Sequence, residues 1–297
     1  MAFIFPAFTS DYYDLPGRNM SDFDHRFNEL LMLAAISTDP ALAGFSFTGT
    51  TFQEDELRNQ YLTYIYSCAA SSVLRKAGFT PWVNAGYSMG IYASLFDAGS
   101  ISFETGLTLI RLAYHCLLAN LKNVSCGMGT LIGLDRNDIQ KLIGQSSLRV
   151  EITNQNASHS FVVSGYHEDI GKLMELAREE GALHTRDLVV SIPYHSALLK
   201  DGAMEFARQI SHLEIKAPEI PIISLIDQKM LSTSAMIREE IVRNLFHPLN
   251  WFQTMHVMLE YNVSQLIECG PSKGLVKNSK FVEGNYRFFS LSSIPQR

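Results

Sequence analysis

Apolar residues recur along the chain in two rhythms, and the places where the rhythm changes divide it into elements. "AFIFPA", residues 2–7, is an apolar run closed by Pro6; it predicts a short buried strand ending where the chain must turn. "SDFDHRFNELLMLA" shows apolar positions at helical spacing behind a serine, with Asp22 and Asp24 where carboxylates meet the positive end of a helix dipole. "DELRNQYLTYIYSCAASSVLRKAG" predicts a long helix that closes on Arg75, Lys76 and Gly78, the signature of a helix C-terminus. "WVNAGYSMG" gives a brief strand and a serine-centred turn, followed by a helix of small residues. "ISFETGLTLIRLAYHCLLANL" carries another helix to about Leu121.

After Leu121 the rhythm shortens. "GMGTLIGLD", "LRVEITNQN" and "SFVVSG" alternate like strands, interleaved with "RNDIQKLIG" and "HEDIGKLMELAREEG", which read as helices. A βαββαβ order over residues 125–190 predicts an inserted α+β module of ferredoxin-like type. The chain returns to its larger unit, residues 1–124 and 191–297, at "VVSIPYHSALL", which opens on a strand-like run. Without repeats, low-complexity tracts or linkers, the two parts are expected to share a rigid cleft.

With 297 residues, 46% of them hydrophobic, the chain can bury a large core. Its net charge of −6 argues against nucleic acid, since clustered Lys and Arg are needed to displace counterions from phosphates. An acidic carrier protein stays compatible through a local basic patch. Four scattered cysteines in apolar surroundings, with no CxxC spacing, read as buried free thiols. "MAFIFPAFTS" lacks a positive n-region, and no segment reaches 18 apolar residues without a charge. The expectation is a soluble cytoplasmic monomer with no membrane partner.

The chemistry concentrates in "GYSMG". In G-x-S-x-G the serine sits on a strained strand-to-helix turn, and the predicted strand before it and helix after it supply that context. Ser88 is then a nucleophile, and the Met89 amide at the helix N-terminus is the natural donor to an oxyanion. A serine hydroxyl needs a base within hydrogen-bond reach. His25, His159, His167, His184 and His212 lie in polar stretches and read as surface residues, whereas His115 and His256 lie in apolar helical patterns and read as core histidines. His195 differs, following Pro193 in a loop before a helix. No HExxH or paired Cys/His spacing appears, so no metal site is expected, and "CGPSKG" lacks the spacing of a phosphate loop and reads as a structural turn.

Together these segments resemble the malonyl-CoA:acyl carrier protein transacylases and the acyltransferase domains of polyketide synthases. "FIFPA", "AGYSMGIYASL", "VVSGY", "VSIPYHSALL", "RNLFHPLNW" and "IECGPSKGL" match that family in order over nearly the whole chain. The resemblance implies an α/β fold, with an α/β-hydrolase-like catalytic core of residues 1–124 and 191–297 and the ferredoxin-like small subdomain at 125–190. It implies Ser88 as acylated nucleophile, His195 as base, and the backbone carbonyl of Asn244 as the partner of that base. A carbonyl can fix the imidazole tautomer by accepting Nδ1–H, though it stabilises imidazolium less than a carboxylate does. No cofactor is implied; a phosphopantetheine thioester, on CoA or acyl carrier protein, is the implied substrate.

Two departures matter. The family's opening "FPGQGSQ" is "FPAFTSD" here, so the second oxyanion donor becomes the amide of Phe8, whose ring makes the pocket less polar. The family's carboxylate-binding arginine falls at Ala113. Arg111 is two residues away, about 200° around a helix, and should point elsewhere. Ala113, Tyr114 and Tyr194 then line the acyl pocket, and a carboxylate entering it lacks its partner. The expected function is transfer of a non-carboxylated acyl group between thiols of CoA or acyl carrier protein through acyl-Ser88. The alternatives are editing hydrolysis of acyl carrier protein thioesters and a silent carrier-binding module.

Overall fold

A computed structural model describes residues 1–8, 21–47, 55–121 and 124–294; Thr9, Ser10 and Asp11 of the opening motif lie outside the described residues. From the N-terminus the elements are β1 (Ala2–Phe5), α1 (Ser21–Ser37), α2 (Glu56–Lys76), β2 (Val83–Gly86), α3 (Gly90–Asp97) and α4 (Phe103–Leu121). Next come β3 (Cys126–Ile132), α5 (Arg136–Gln145), β4 (Val150–Ala157), β5 (Ser160–Tyr166), α6 (His167–Glu179) and β6 (His184–Leu188). The last stretch holds α7 (Lys200–Gln209), β7 (Ile222–Ile223), β8 (Met230–Leu231), α8 (Ser234–Arg243), β9 (Leu249–Asn250), α9 (Trp251–Glu260), β10 (Gln265–Glu268), α10 (Gly274–Ser279) and β11 (Arg287–Ser290).

Among the described residues eleven strands form two sheets in an α/β fold. The larger has the order β11-β10-β1-β2-β7-β8, parallel except at β7 and β8. Its centre explains the unbroken apolar run of β1: Phe3 and Phe5 point into one core with α1, α2, α3 and α4, while Ala2 and Ile4 point into a second with α9 and α10. A strand covered on both faces has no polar side. α2 is buried almost all round from Asn59 to Ser71. It starts where the Asp55 side chain accepts from the Arg58 amide at 2.9 Å, and it closes near Gly78, whose φ of +86° suits glycine.

The smaller sheet has the order β6-β3-β5-β4-β9. Its first four strands are antiparallel in ferredoxin-like order, with α5 and α6 closing a third core against them. β9 comes from outside the module and adds a fifth strand parallel to β4, a join that strand-by-strand reading did not anticipate. The expected strand-like run at Val189 and Val190 is not one. The last strand of the module is the polar "HTRDL", which among the described residues pairs with β3 alone and stays largely exposed, and Val189 beyond it is 86% exposed. Edge strands need little apolar character, so periodicity overlooked β6 and favoured the loop. All four cysteines are free and buried. Among the described residues no helix is long and apolar enough to cross a membrane.

Candidate active site

Ser88 sits between β2 and α3 with φ +56°, a left-handed conformation that costs a non-glycine residue roughly 1–3 kcal/mol and persists where surroundings impose it. The flanking glycines impose it here. A Cβ on Gly86 would lie 2.4 Å from the Ile91 backbone, and one on Gly90 would lie 2.2 Å from the Phe5 carbonyl oxygen. The turn therefore packs directly on the end of β1, and the Tyr87 amide donates to the same Phe5 oxygen at 2.8 Å.

The structure brings His195 to this serine across 107 positions of chain: Ser88 Oγ and His195 Nε2 are 2.8 Å apart. His195 also has a left-handed backbone, φ +65°, held by its amide donating to the Leu245 carbonyl at 3.0 Å. The Asn244 carbonyl lies 2.6 Å from Nδ1, so Nδ1 carries the hydrogen and Nε2 is left as acceptor for the serine hydroxyl. Asn244 does more than sequence reasoning assigned it. Its Nδ2 donates to the Ser88 carbonyl at 2.9 Å and ties the end of α8 to the strained turn. His195 is 2% exposed; burial drives its pKa down to about 4, against a smaller upward pull from the Asn244 carbonyl.

The smaller sheet holds both the Ser88 turn and the His195 segment. Tyr87 donates to Asn156 Oδ1 at 2.8 Å and accepts from Asn154 Nδ2 at 3.0 Å, while Ser164 Oγ donates to the Tyr194 carbonyl at 2.9 Å. Register shifts in the β4–β5 pairing bracket Asn154 and Gln155, in keeping with bulges beside a site.

Two spaces meet at Ser88. A cavity of about 300 Å³ runs between the two parts of the chain, with Met128, Asn154 and Val162 on one side and Glu56 and Ala7 on the other. Behind the serine a pocket of about 20 Å³ is lined by Tyr92, Ala113, Tyr114 and Gln60 among others. Phe8, Ser88, Tyr194 and His195 border both spaces, and Met89, at the start of α3, borders the inner one. Thus the residues singled out from sequence, Phe8, Met89, Ala113, Tyr114 and Tyr194, all gather around the Ser88–His195 pair. Arg111 is solvent-exposed on α4 and borders neither space.

Of the other histidines, His25, His159, His167, His184 and His212 are exposed as expected. His115 is a correction: it is exposed, sharing the outer face of α4 with Arg111 and Leu118, because the buried stripe runs through Leu107, Ile110, Ala113 and Leu117. His256 is half-buried, with Nδ1 2.8 Å from the Phe252 carbonyl. Sequence reasoning missed Glu56 and Gln60. Glu56 accepts from the Tyr194 hydroxyl at 2.6 Å, and Gln60 Nε2 donates to that hydroxyl at 2.8 Å. Burial, then the Glu56 carboxylate, holds the Tyr194 hydroxyl well above its usual pKa of 10. No motif marks these residues.

The sequence profile of the acyl transferase domain matches residues 60–278. The malonyl CoA-acyl carrier protein transacylase of Salmonella typhimurium is 28% identical over 249 residues, 81% of each chain. The polyketide biosynthesis protein ThaF of Burkholderia thailandensis is 29% identical over 280 residues, which is 91% of this chain and 23% of that protein. The solved structure of an acyl-carrier-protein S-malonyltransferase from Burkholderia pseudomallei superposes with a TM-score of 0.86 at 28% identity, covering 99% of this chain and 96% of that one. With a serine elbow, a histidine at hydrogen-bond distance and a profile match over most of its length, this chain belongs to the acyl transferase domain family and is an acyltransferase.

Proposed function

We propose that the protein moves a small, non-carboxylated acyl group between phosphopantetheine thiols, of CoA or of an acyl carrier protein, through an acyl-Ser88 intermediate. The observation that carries this reading is the inner pocket. About 20 Å³ is close to the room one water molecule needs, which suits the methyl of an acetyl group better than a longer chain. Among the described residues no Lys or Arg lines it, so the carboxylate of a malonyl group would lose its hydration and gain no cation there. The wider cavity, bordered by Val190 and Leu188 among others, supplies a path for a pantetheine arm. The transacylase relatives act on malonyl-CoA and acyl carrier protein, and this chain is read as keeping their thiol partners while changing the acyl group.

In this mechanism Nε2 of His195 takes the Ser88 proton as Oγ attacks the thioester carbonyl. The amides of Met89 and Phe8 receive the negative charge on the carbonyl oxygen. The carbon–sulfur bond then breaks, and the leaving thiolate takes the proton from the imidazolium. An incoming thiol repeats the sequence in reverse and carries the acyl group away. His195 needs no carboxylate partner because the Asn244 carbonyl already fixes its tautomer.

The test is intact-mass analysis after mixing with acetyl, malonyl and longer neutral acyl thioesters. An adduct lost on Ser88→Ala, formed with kcat/KM at least about tenfold higher for acetyl than for malonyl, is the expected result. Release to an acyl carrier protein thiol faster than to water distinguishes transfer from hydrolysis. A preference for malonyl would overturn the selectivity, and no adduct with any donor would overturn the mechanism.

A further inference from the structure

Glu56 lies in the first turn of α2, far from the serine in sequence and outside every motif. Its two oxygens are fully engaged: Oε1 accepts from the Tyr194 hydroxyl at 2.6 Å, and Oε2 accepts from the Ser191 amide at 3.0 Å and the Ser191 hydroxyl at 3.1 Å. Gln60, one turn along the helix, donates to the same Tyr194 hydroxyl at 2.8 Å. These bonds fix the Tyr194 ring from its far end, and Phe8 meets it edge-on with ring centres 6.2 Å apart. The fixed ring stands between the two spaces that meet at Ser88.

We propose that Glu56 is the residue that sets acyl selectivity, by pinning Tyr194 across the inner pocket and by placing a negative charge beside it. The inference rests on the acyl-Ser88 reading above. Pinning limits the length of the acyl chain, because Tyr194 cannot swing aside without breaking bonds to both Glu56 and Gln60. The charge acts separately. All three donors to Glu56 are neutral, and its carboxylate acts on the pocket: after burial, it is the next cause that raises the hydroxyls of both Tyr114 and Tyr194. A carboxylated acyl group in the inner pocket meets this field with no arginine lining that pocket among the described residues, since Ala113 stands at the family's arginine position and Arg186 borders only the wider cavity.

The experiment compares kcat/KM for acetyl-, butyryl- and malonyl-CoA in wild type, Glu56→Gln, Glu56→Ala and Tyr194→Phe. Ratios within one preparation are read, since partial misfolding lowers all three substrates together. Glu56→Gln keeps length and an acceptor oxygen for Tyr194, removes the charge and turns the oxygen that faces Ser191 into an NH2 group; its malonyl-to-acetyl ratio should rise about tenfold, with a smaller change in butyryl-to-acetyl. Glu56→Ala should raise the butyryl-to-acetyl ratio about tenfold, and Tyr194→Phe, which keeps the ring and cuts its tether, should raise it in the same direction. Unchanged ratios in Glu56→Ala and Tyr194→Phe, with wild type still forming the Ser88 adduct, would overturn the role of Glu56 alone. Absence of the adduct in wild type would overturn both readings.

Discussion

Acylation of Ser88 is expected to persist far into the acid range. A base with the ordinary imidazole pKa of 6.5 is only about 3% deprotonated at pH 5, whereas one at about 4 is roughly nine-tenths deprotonated, a difference of about thirtyfold in competent enzyme. The cause is structural: His195 is buried, and the carbonyl of Asn244 offsets only part of the cost of charging it. Stability runs through the same window. Because the folded pKa lies below the unfolded one, the unfolded chain gains its proton first as pH falls. The contribution is full above about pH 6.5 and is lost toward pH 4, amounting to about 3 kcal/mol at ~1.4 kcal/mol per pH unit. The assay is a single-turnover measurement of the Ser88 adduct by quenched intact mass from pH 8 to pH 4.5, with near-ultraviolet circular dichroism confirming the fold at each pH. An acid limb centred near 6.5 in protein that remains folded would refute the reasoning, since it would mean that His195 is solvated or is not the base.

Two further outcomes follow from packing and burial. Gly90→Ala forces a Cβ to 2.2 Å from the Phe5 carbonyl oxygen, so the elbow should lose about 3 kcal/mol or more and form no adduct; acylation at the wild-type rate would show that the turn is not held this way. Glu240 is buried on α8, where the Ser224 hydroxyl donates to its carboxylate at 2.8 and 2.9 Å, and burial lifts its pKa from 4.5 to about 7. Its contribution is full below about pH 4.5 and lost as pH rises through about 7, so the Tm difference between Glu240→Gln and wild type should move several degrees in the variant's favour from pH 5 to pH 8. A difference that stays flat across that range would refute it.

The sequence by itself determined what depends on neighbours a few residues apart. The elbow was legible because Gly86 and Gly90 are each two residues from Ser88 and answer a local steric demand. The helices and most strands were legible because burial of one face, or of two, imposes a period on the residues that form it. The outward face of His115 was available to the same reasoning, through the positions it shares with Arg111 and Leu118, had the helix phase been followed to its end.

Tertiary structure decided the rest. That β9 extends the small sheet, and that the polar "HTRDL" is a strand while exposed Val189 is not, depends on which edges are paired, and pairing leaves little mark on composition. The Asn244 side chain reaches the Ser88 carbonyl across 156 positions, and Glu56 reaches Tyr194 across 138. Pattern along a chain records which face of an element is buried, because burial repeats with the element's period. A single hydrogen bond between distant segments repeats nothing, so the partners of His195 and Tyr194, and the size of the pocket behind Ser88, exist only once the chain has folded.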